Sequence, residues 1–512
     1  MTKNKQKHAV NMNKPETKQE NIFVQQVPFI HYFIALVVVV LVFWSFCLPT
    51  QALAQSGWQT PQWIPGLVDS SASQNPYFVT DPTGKIHVFH SQWVNNRYGI
   101  VYSKWTVGVG WTSPVDIIAS DRGQARITGA FLDSKGMMNV IFWGGDDQNA
   151  DIYFSQAPLT DAMRSTAWSS PLLIGSNAIS PTNAAVVSNQ NGHIVVVYSG
   201  NEEGNGLYCI TSEDYGVTWT TSFPLFSAAS NLLWPSALQM IMTGDGSVHA
   251  VWGLGDQTGN SRAVYHASLA FNAAGWSSPT VLAEVTEYEA DTPSIIEYDD
   301  SLIVIFHNDF PTTRFMTYSN DNGETWSSPT RLFEQVGSNG PAALIIDSSN
   351  TLHMFFGNRV DISTTHGLWH SIWLGGDWST PVAIVSGPQI LIGANGEEGF
   401  DPSAAQAMIC QDNLLMVVWR HDPMAGPIHI WFTYQYLDSL ALPTQTIQTP
   451  AAMITSTPEP TLLPTITVSV PEDYDDNFDE IDSTAINQTL FFSITPALIL
   501  IAVVLFWRRN RH

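Results

Sequence analysis

The sequence predicts an all-β fold, a seven-bladed β-propeller, and three observations carry that prediction. A tryptophan followed by small polar residues, often with a proline, recurs every 50 to 57 residues. Between successive tryptophans lies a turn and then a run of β-branched and aromatic residues. The chain also combines 19 Trp with only 13% charged residues, which is typical of a folded chain rather than a disordered acidic one. The recurring tryptophans are Trp58, Trp111, Trp168, Trp219, Trp276, Trp326 and Trp378.

Each repeat is predicted to form four antiparallel strands. The second strand is the clearest, as in 84–89 (GKIHVF) and 192–198 (GHIVVVY). Such runs are short, bounded by turns and rich in Val, Ile and aromatic residues, which favours buried strands over helices. A first strand follows a proline in most repeats, a third strand is aromatic, and we expect a fourth to start at the tryptophan. Four strands every 50-odd residues are typical of a propeller blade.

The ends of the repeat array predict how the ring closes. The last set of strands, in 401–436, has no tryptophan strand after it, whereas Trp58-Gln-Thr-Pro61-Gln-Trp-Ile64 precedes the first set. We therefore expect the N-terminal strand to complete the last blade, because closure leaves no open sheet edge. The predicted propeller spans 58–437, and six blades is the main alternative to seven.

Both chain termini predict a membrane topology. Lysines, an apolar run from Phe29 to Leu48 and Ala52-Leu-Ala54 indicate a signal peptide over 1–54, cleaved after Ala54 or retained as a signal anchor. Residues 438–489 are rich in Pro and Thr and then acidic, which predicts a disordered stalk. Residues 490–507 carry no charge and predict one transmembrane helix, and 508–512 form a basic cytoplasmic tail. The expected location is the cell membrane, single-pass, with the propeller extracellular.

The net charge excludes one class of binding partner. The chain has 45 Asp+Glu against 20 Lys+Arg, a formal net charge of −25. An acidic surface repels phosphates, so nucleic acid is excluded as a partner. Three cysteines are too few for a disulfide scaffold.

Two turns carry a sharper motif, 212–219 (SEDYGVTW) and 319–326 (SNDNGETW). They resemble the Asp box of the sialidase-like (BNR repeat) propellers, Ser-x-Asp-x-Gly-x-Thr-Trp. The resemblance covers Trp58 to about Leu437. In that family the box lies on the face opposite the ligand, so it implies structural roles and not catalytic ones. These roles fall to Ser212, Asp214, Gly216, Trp219, Ser319, Asp321, Gly323 and Trp326.

The ligand face is expected on the loops between the second and third strands and on those that lead into the first strands. Aromatic rings that stack on sugars, beside fixed polar groups, are what a glycan site needs. Ordinary polar surface loops are the competing interpretation. The ligand-binding candidates are Trp93, Arg97, Arg122, Trp143, Asp147, Glu203, Trp234, Arg262, Arg314 and Arg359.

The resemblance also implies what a catalytic site would contain. Sialidases hold the substrate carboxylate with three arginines and use an aspartic acid and a tyrosine paired with a glutamate. The matching positions here are incomplete: Arg126 precedes Ile127-Thr128 where the family has Ile-Pro, and no tyrosine can be assigned. The weak catalytic candidates are Arg126, Asp151, Glu297 and Arg420.

The sequence therefore favours an exported, membrane-anchored propeller that recognises an extracellular glycan or protein without catalysis. A sialidase or another glycoside hydrolase is the first alternative, and a structural surface protein is the second. We expect no cofactor. Calcium at Asp146-Asp147 or at the cluster from Glu287 to Asp291 is a weaker expectation, because solvated acidic loops have the same composition.

Overall fold

A computed structural model describes most of the repeat array. The described residues are 57–69, 76–94, 97–119, 123–146, 150–180, 183–256, 261–271, 273–284, 290–309, 312–333, 339–358, 366–387, 402–411, 413–421 and 428–438. All lie in the first of two compact units, Met1–Ala451. The predicted signal segment, the stalk beyond Asp438, the transmembrane helix and the basic tail lie outside the described residues. Within them, no helix is long and apolar enough to cross a membrane.

The regular elements among the described residues are β-strands, apart from two short 3₁₀ turns at Leu159–Asp161 and Ser165–Ala167. The strands are β1 (Gln62–Asp69), β2 (Tyr77–Thr80), β3 (Lys85–Val94), β4 (Arg97–Thr106), β5 (Gly110–Trp111), β6 (Val115–Ala119), β7 (Gln124–Leu132), β8 (Met137–Gly145), β9 (Ala150–Pro158), β10 (Leu172–Ala178), β11 (Ala184–Ser188), β12 (Ile194–Gly200), β13 (Gly206–Ser212), β14 (Phe223–Ser227), β15 (Trp234–Met242), β16 (Val248–Gly255), β17 (Ser261–Leu269), β18 (Thr280–Glu284), β19 (Ala290–Tyr298), β20 (Ser301–Asp309), β21 (Thr312–Ser319), β22 (Thr330–Arg331), β23 (Asn339–Ile346), β24 (Leu352–Asn358), β25 (His366–Ile372), β26 (Val382–Gly387), β27 (Pro402–Cys410), β28 (Leu414–His421) and β29 (Ile428–Tyr436).

Neighbouring strands pair antiparallel, and most of them are consecutive in the chain. The sheets are β2–β6, β7–β14, β15–β18, β19–β22, β23–β26, and β27–β29 together with β1. The eight-stranded sheet consists of two four-stranded ladders, β7–β10 and β11–β14, joined by the single residue pair Ala178 and Gly200. The architecture is all-β and consistent with a propeller, as the sequence predicts.

The N-terminal strand completes the last sheet. β1 pairs antiparallel with β29, with Gln62 opposite Phe432 and Trp63 opposite Trp431. A second connection lies at the inner end, where Gln406 Nε2 donates to the Pro76 carbonyl over 2.7 Å. Chain segments more than 300 positions apart are therefore held together, and β29 has no open edge.

The repeated tryptophans reach from one four-stranded ladder to the preceding one. The ring of Trp168 lies 5.9 Å from that of Phe89, and the ring of Trp219 lies 5.4 Å from that of Phe154. The same relation holds for Trp58 with Phe355 (5.8 Å), Trp111 with Phe432 (5.6 Å), Trp326 with His266 (4.9 Å) and Trp378 with the sulfur of Met316 (3.5 Å). The expectation that the fourth strand starts at the tryptophan holds for Trp111, which lies in β5, but is wrong for the repeats in which the strand begins a few residues later. Leu172, for example, begins β10 four positions after Trp168, because the indole is used between sheets.

The first strands of the repeats surround one cavity of about 390 Å³. Its walls come from β2, β7, β11, β15, β19, β23 and β27. Side chains on these inner strands bond to the next inner strand: Asn183 Nδ2 donates to the Pro235 carbonyl (2.7 Å) and Ser294 Oγ to the Ala342 carbonyl (2.7 Å). Such bonds between corresponding positions indicate that the inner strands run in the same direction. The hairpins between second and third strands consequently lie on one face, which we call the loop face.

Candidate functional site

The two Asp boxes use their carboxylates inside their own turns. Asp214 Oδ1 accepts the backbone N–H of Thr218 (2.8 Å), and Oδ2 accepts the Thr218 hydroxyl (2.6 Å). Asp321 makes the same bonds with Thr325. The Thr325 hydroxyl lowers the pKa of Asp321 to about 2, and the Thr218 hydroxyl lowers the pKa of Asp214. Both turns connect third to fourth strands, at the end of the sheets away from the loop face, so these carboxylates stabilise turns.

An aromatic and cationic cluster forms on the loop face between the first two sheets. Trp93 ends β3 and is 52% exposed. Its ring lies edge-on to Tyr98, with centres 5.0 Å apart. The guanidinium of Arg126, at the start of inner strand β7, lies 4.0 Å above the centre of the Tyr98 ring, and its Nε donates to Gln124 Oε1 (2.7 Å). We call Trp93, Tyr98, Gln124 and Arg126 the Trp93 cluster.

The Trp93 cluster has a rigid base and an open top. Tyr98 is 7% exposed and Arg126 is 9% exposed, so both are fixed by packing. Cation–π contact of this kind is worth about 0.5–2 kcal/mol, depending on how far it is desolvated. Trp93 therefore presents an ordered indole to solvent. An indole in this position can stack on the apolar face of a ligand ring. Sequence reasoning missed Tyr98; its position directly opposite Trp93 across the hairpin was the signal that could have found it.

A second exposed indole lies farther around the loop face. Trp234 begins inner strand β15, is 40% exposed and pairs with Gly255 at the end of β16. Nearby on the same sheet, Arg262 Nε lies 3.9 Å from Asp256 Oδ2. Arg97 on the first sheet has an acidic neighbour as well: burial raises the pKa of Asp116, and the charge of Arg97 opposes that shift. The two exposed tryptophans thus have charged residues on the same sheets.

Inner strands bulge close to this face. The pairing of β15 with β16 shifts between Ser236 and Gln239, and that of β19 with β20 shifts between Asp291 and Ser294. The bulges contain Ala237 and Thr292, with φ of 48° and 47°. β23 and β27 have corresponding bulges that contain Gly340 and Ala404. A bulge changes the direction of side chains along a strand. In each of these strands the bulge lies between the first residues, which include Trp234 in β15, and the later residues, which line the cavity.

Two ligand-binding candidates are wrong as surface residues. Trp143 is fully buried and packs in the core with Ile152 and Phe154. Arg314 is also fully buried, on β21. Neither side chain can contact a ligand on the surface, because the sheets on either side cover them.

The remaining candidates are dispersed. Glu203 is exposed in the β12–β13 hairpin, where its N–H donates to the Tyr208 hydroxyl over 2.8 Å. Asp151 lies on β9 opposite Gly144, and Arg420 lies on β28 opposite Ser403. Arg122, Asp147 and Arg359 lie outside the described residues.

The structure does not bring Glu297 together with Arg126. Glu297 lies at the hairpin end of β19, opposite Leu302, and its Oε2 accepts the N–H of Gly244 over 2.8 Å. That end belongs to the Asp-box side of the sheets, whereas Arg126 lies at the loop-face end of its strand. As a catalytic candidate Glu297 is therefore wrong: its carboxylate joins neighbouring turns.

One tyrosine and glutamate pair does occur among the described residues. The Tyr198 hydroxyl donates to Glu202 Oε1 over 2.8 Å, and the Ser222 hydroxyl donates to the other carboxylate oxygen over 2.5 Å. Burial raises the pKa of Tyr198. The Tyr198 side chain is fully buried, so its hydroxyl is not placed to attack a sugar.

Metal ligands are not assembled in the part of the chain that the structure describes. No group of three or more His, Cys, Asp or Glu side chains there could hold a metal ion. Asp146 is exposed, and its predicted partner Asp147, like Glu287 and Glu289, lies outside the described residues.

Comparison with known proteins shows what part of the repeat array is similar to. Residues 136–361 match the model of the BNR repeat-like domain. No curated protein matches the chain. Among solved structures, similarity extends to a protein of unknown function from Dyadobacter fermentans (14% identity, TM-score 0.46, 75% of this chain and 100% of that one). An ulvan lyase bound to a saccharide is similar at 11% identity (TM-score 0.49, 73% and 95%), and the NanB sialidase of Streptococcus pneumoniae at 12% (TM-score 0.40, 73% and 70%). The domain match agrees with the resemblance seen in the Asp boxes: residues 136–361 of this chain are similar to the BNR repeat-like domain.

Proposed function

We propose that this protein recognises an extracellular glycan on its loop face and does not cleave it. The Trp93 cluster is the observation that carries the proposal. An indole that is 52% exposed is held by Tyr98, and Tyr98 is held by Arg126. A ligand therefore meets an ordered ring, and little side-chain entropy is lost when it binds.

The polar groups beside the ring suit a sugar. Gln124 offers an amide, and Trp234 provides a second exposed ring on the same face. Sites that combine aromatic surface with a few fixed polar groups are typical of small-ligand recognition. The resemblance of the Asp boxes to the sialidase-like propellers points to the same class of ligand.

The charges of the described residues argue against a carboxylate clamp. Arg126 is engaged with Tyr98 and Gln124, and Arg262 lies beside Asp256. Arg314 is buried. A sialic acid would require arginines that converge on its carboxylate, within a chain of net charge −25. Recognition without catalysis is therefore favoured over sialidase activity.

The finer architecture belongs to the same proposal. We infer seven four-stranded blades, from the two ladders of the eight-stranded sheet and the seven strands that line the cavity. Residues 1–54 export the propeller, 490–507 anchor it in the membrane, and 508–512 remain in the cytoplasm. Recognition needs no cofactor.

The test uses the purified full-length protein in detergent on a glycan array, beside a panel of fluorogenic glycosides that includes a sialoside. Binding without release of the fluorophore supports the proposal. Release would overturn it in favour of a glycoside hydrolase. Silence in both assays, followed by specific capture of one extracellular protein, would overturn the glycan assignment, and loss of binding in EDTA would overturn the absence of a cofactor.

A further inference from the structure

Arg314 is a buried cation whose hydrogen-bonding capacity is largely unused. Its side chain is fully buried between the β19–β22 sheet and the β23–β26 sheet. Nη2 donates to the Gly340 carbonyl over 3.0 Å, and the guanidinium carbon lies 5.1 Å from the centre of the Phe356 ring. Both contacts come from the neighbouring sheet, so Arg314 sits at a junction between two sheets.

The rest of the guanidinium lacks acceptors. Nε and Nη1 are shielded from solvent, and no described residue accepts a hydrogen bond from either. Arg314 also forms no ion pair with a described carboxylate. Burial lowers the pKa of Arg314 to about 9, which leaves it charged at neutral pH. The position therefore holds a positive charge with one carbonyl and one ring face as its visible partners.

Such an arrangement is costly unless a negative charge compensates it. Buried charges in proteins are paired, and buried N–H groups almost always have an acceptor. A carbonyl and an aromatic face supply partial negative charge only. Proton loss cannot relieve the cost at neutral pH, because the guanidinium remains protonated there.

We propose that Arg314 binds a small inorganic anion of the size of chloride at this junction. The anion accepts hydrogen bonds from the N–H groups that the protein leaves unpaired and neutralises the buried charge. A small ion is required because the side chain has no exposed surface on which a saccharide could rest. Gly340 precedes Pro341, which lines the central cavity, so the site lies just behind the cavity wall.

The site is independent of glycan recognition, which the proposed function assigns to Trp93 and Trp234. The test measures how the thermal stability of the full-length protein depends on halide at constant ionic strength. Thermal unfolding is followed by tryptophan fluorescence while sodium gluconate is replaced by sodium chloride up to 100 mM. We expect the midpoint of thermal unfolding to rise by at least about 2 °C. A ligand that binds only the folded state stabilises that state by mass action. Line broadening in chloride-35 NMR should report exchange with the same site.

Two variants make the test specific. Arg314→Met removes the charge and should abolish both the midpoint shift and the line broadening. Arg331→Met, on the exposed strand β22 of the same sheet, should retain both. If Arg314→Met does not fold, crystals of the unaltered protein soaked in bromide give the decision, because the anomalous peak should lie beside Arg314.

Three results would overturn the proposal. Equal midpoints in chloride and gluconate would do so, and that is the result expected if a carboxylate from outside the described residues pairs with Arg314. A halide response that persists in Arg314→Met would place the site elsewhere. An anomalous map without bromide at Arg314 would have the same meaning.

Discussion

The indole of Trp326 lies edge-on to the imidazole of His266, with ring centres 4.9 Å apart and planes at 62°. Trp326 closes an Asp box of the β19–β22 sheet, whereas His266 lies on β17 of the preceding sheet. The same box places Gly323 against this imidazole. An Asp box therefore shapes a turn and also presents the surface on which the neighbouring sheet packs.

A side chain at Gly323 should destabilise the fold for two reasons that can be measured separately, backbone strain and crowding. Its φ is +87°, and an added Cβ would lie 2.5 Å from Cε1 of His266. Gly375 is a matched control, because its φ is +86° and a Cβ there would contact nothing within 4 Å. We expect Gly375→Ala to lower the free energy of unfolding by about 1–2 kcal/mol from backbone strain alone. Gly323→Ala should cost about 1–3 kcal/mol more because of crowding, as measured by urea unfolding. Equal losses would show that His266 moves aside without cost.

Buried imidazoles should make the fold sensitive to mild acid. Burial lowers the pKa of His266 and of His370 to about 3. Each ring stays neutral in the folded state while it binds a proton in the unfolded state below about pH 6.5. The stability that depends on the neutral rings is complete above that pH and is lost as the pH falls toward 3. The slope should be about 1.4 kcal/mol per pH unit for each ring.

Unfolding measured from pH 7.5 to 4.5 tests this sensitivity. The window ends above the ordinary carboxyl pKa of about 4, so Asp321, whose pKa is lowered to about 2 in the folded state, contributes little to the slope within it. His266→Phe should reduce the slope by the share of one ring, about 1.4 kcal/mol per pH unit, and should leave the share of His370. An unaltered slope in His266→Phe would mean that its ring does not resist protonation.

The N-terminal segment should stabilise the folded repeat array mainly through the indole of Trp58. Trp58 is 7% exposed and packs against Phe355 and His370 of the preceding sheet. Trp63, five positions later, is 52% exposed. Trp58→Ala should cost about 3–5 kcal/mol, as for other buried aromatic truncations. Trp63→Ala should cost about 1 kcal/mol, since it loses only contacts at the surface. Chemical unfolding of the two variants provides the comparison, and a similar loss in both would argue against closure through Trp58.

Glycan affinity should depend on Trp93. Trp93→Ala removes the exposed ring and should weaken binding at least tenfold, about 1.4 kcal/mol. Trp63 has the same fractional exposure of 52% but lies on the last sheet, so Trp63→Ala is the matched control and should bind normally. Titration of the best array glycan by calorimetry measures both. Unchanged affinity in Trp93→Ala, with its fold intact, would move the site away from the Trp93 cluster.

Local patterns determined most of the fold. Each second strand is a short apolar run bounded by a turn, and each Asp box supplies its own hydrogen bonds, as Asp214 does with Thr218. The closing strand β1 was predictable too, because the last repeat lacks a fourth strand and the first repeat is preceded by one. These features depend on neighbours in sequence or on the count of repeats.

The candidate site was predicted less well, and Trp93 and Trp143 show why. Both tryptophans lie near the ends of second strands, β3 and β8. Trp93 belongs to the second residue pair from its hairpin, and Trp143 belongs to the third. That one step places Trp143 fully inside the core while Trp93 remains half exposed. One step along a strand also turns the side chain to the opposite face of the sheet, and the repeat pattern does not specify which face and depth the neighbouring sheets cover.

The sequence by itself determined the strand order, the turn chemistry and the resemblance to the BNR repeats, because these follow from residues close together in the chain. Only the tertiary structure decided which side chains meet solvent. It placed Arg126 over Tyr98, buried Arg314 beneath the next sheet and turned Glu297 toward Gly244. The physical reason is that exposure depends on the packing of adjacent sheets, whose contacts join residues about 50 positions apart.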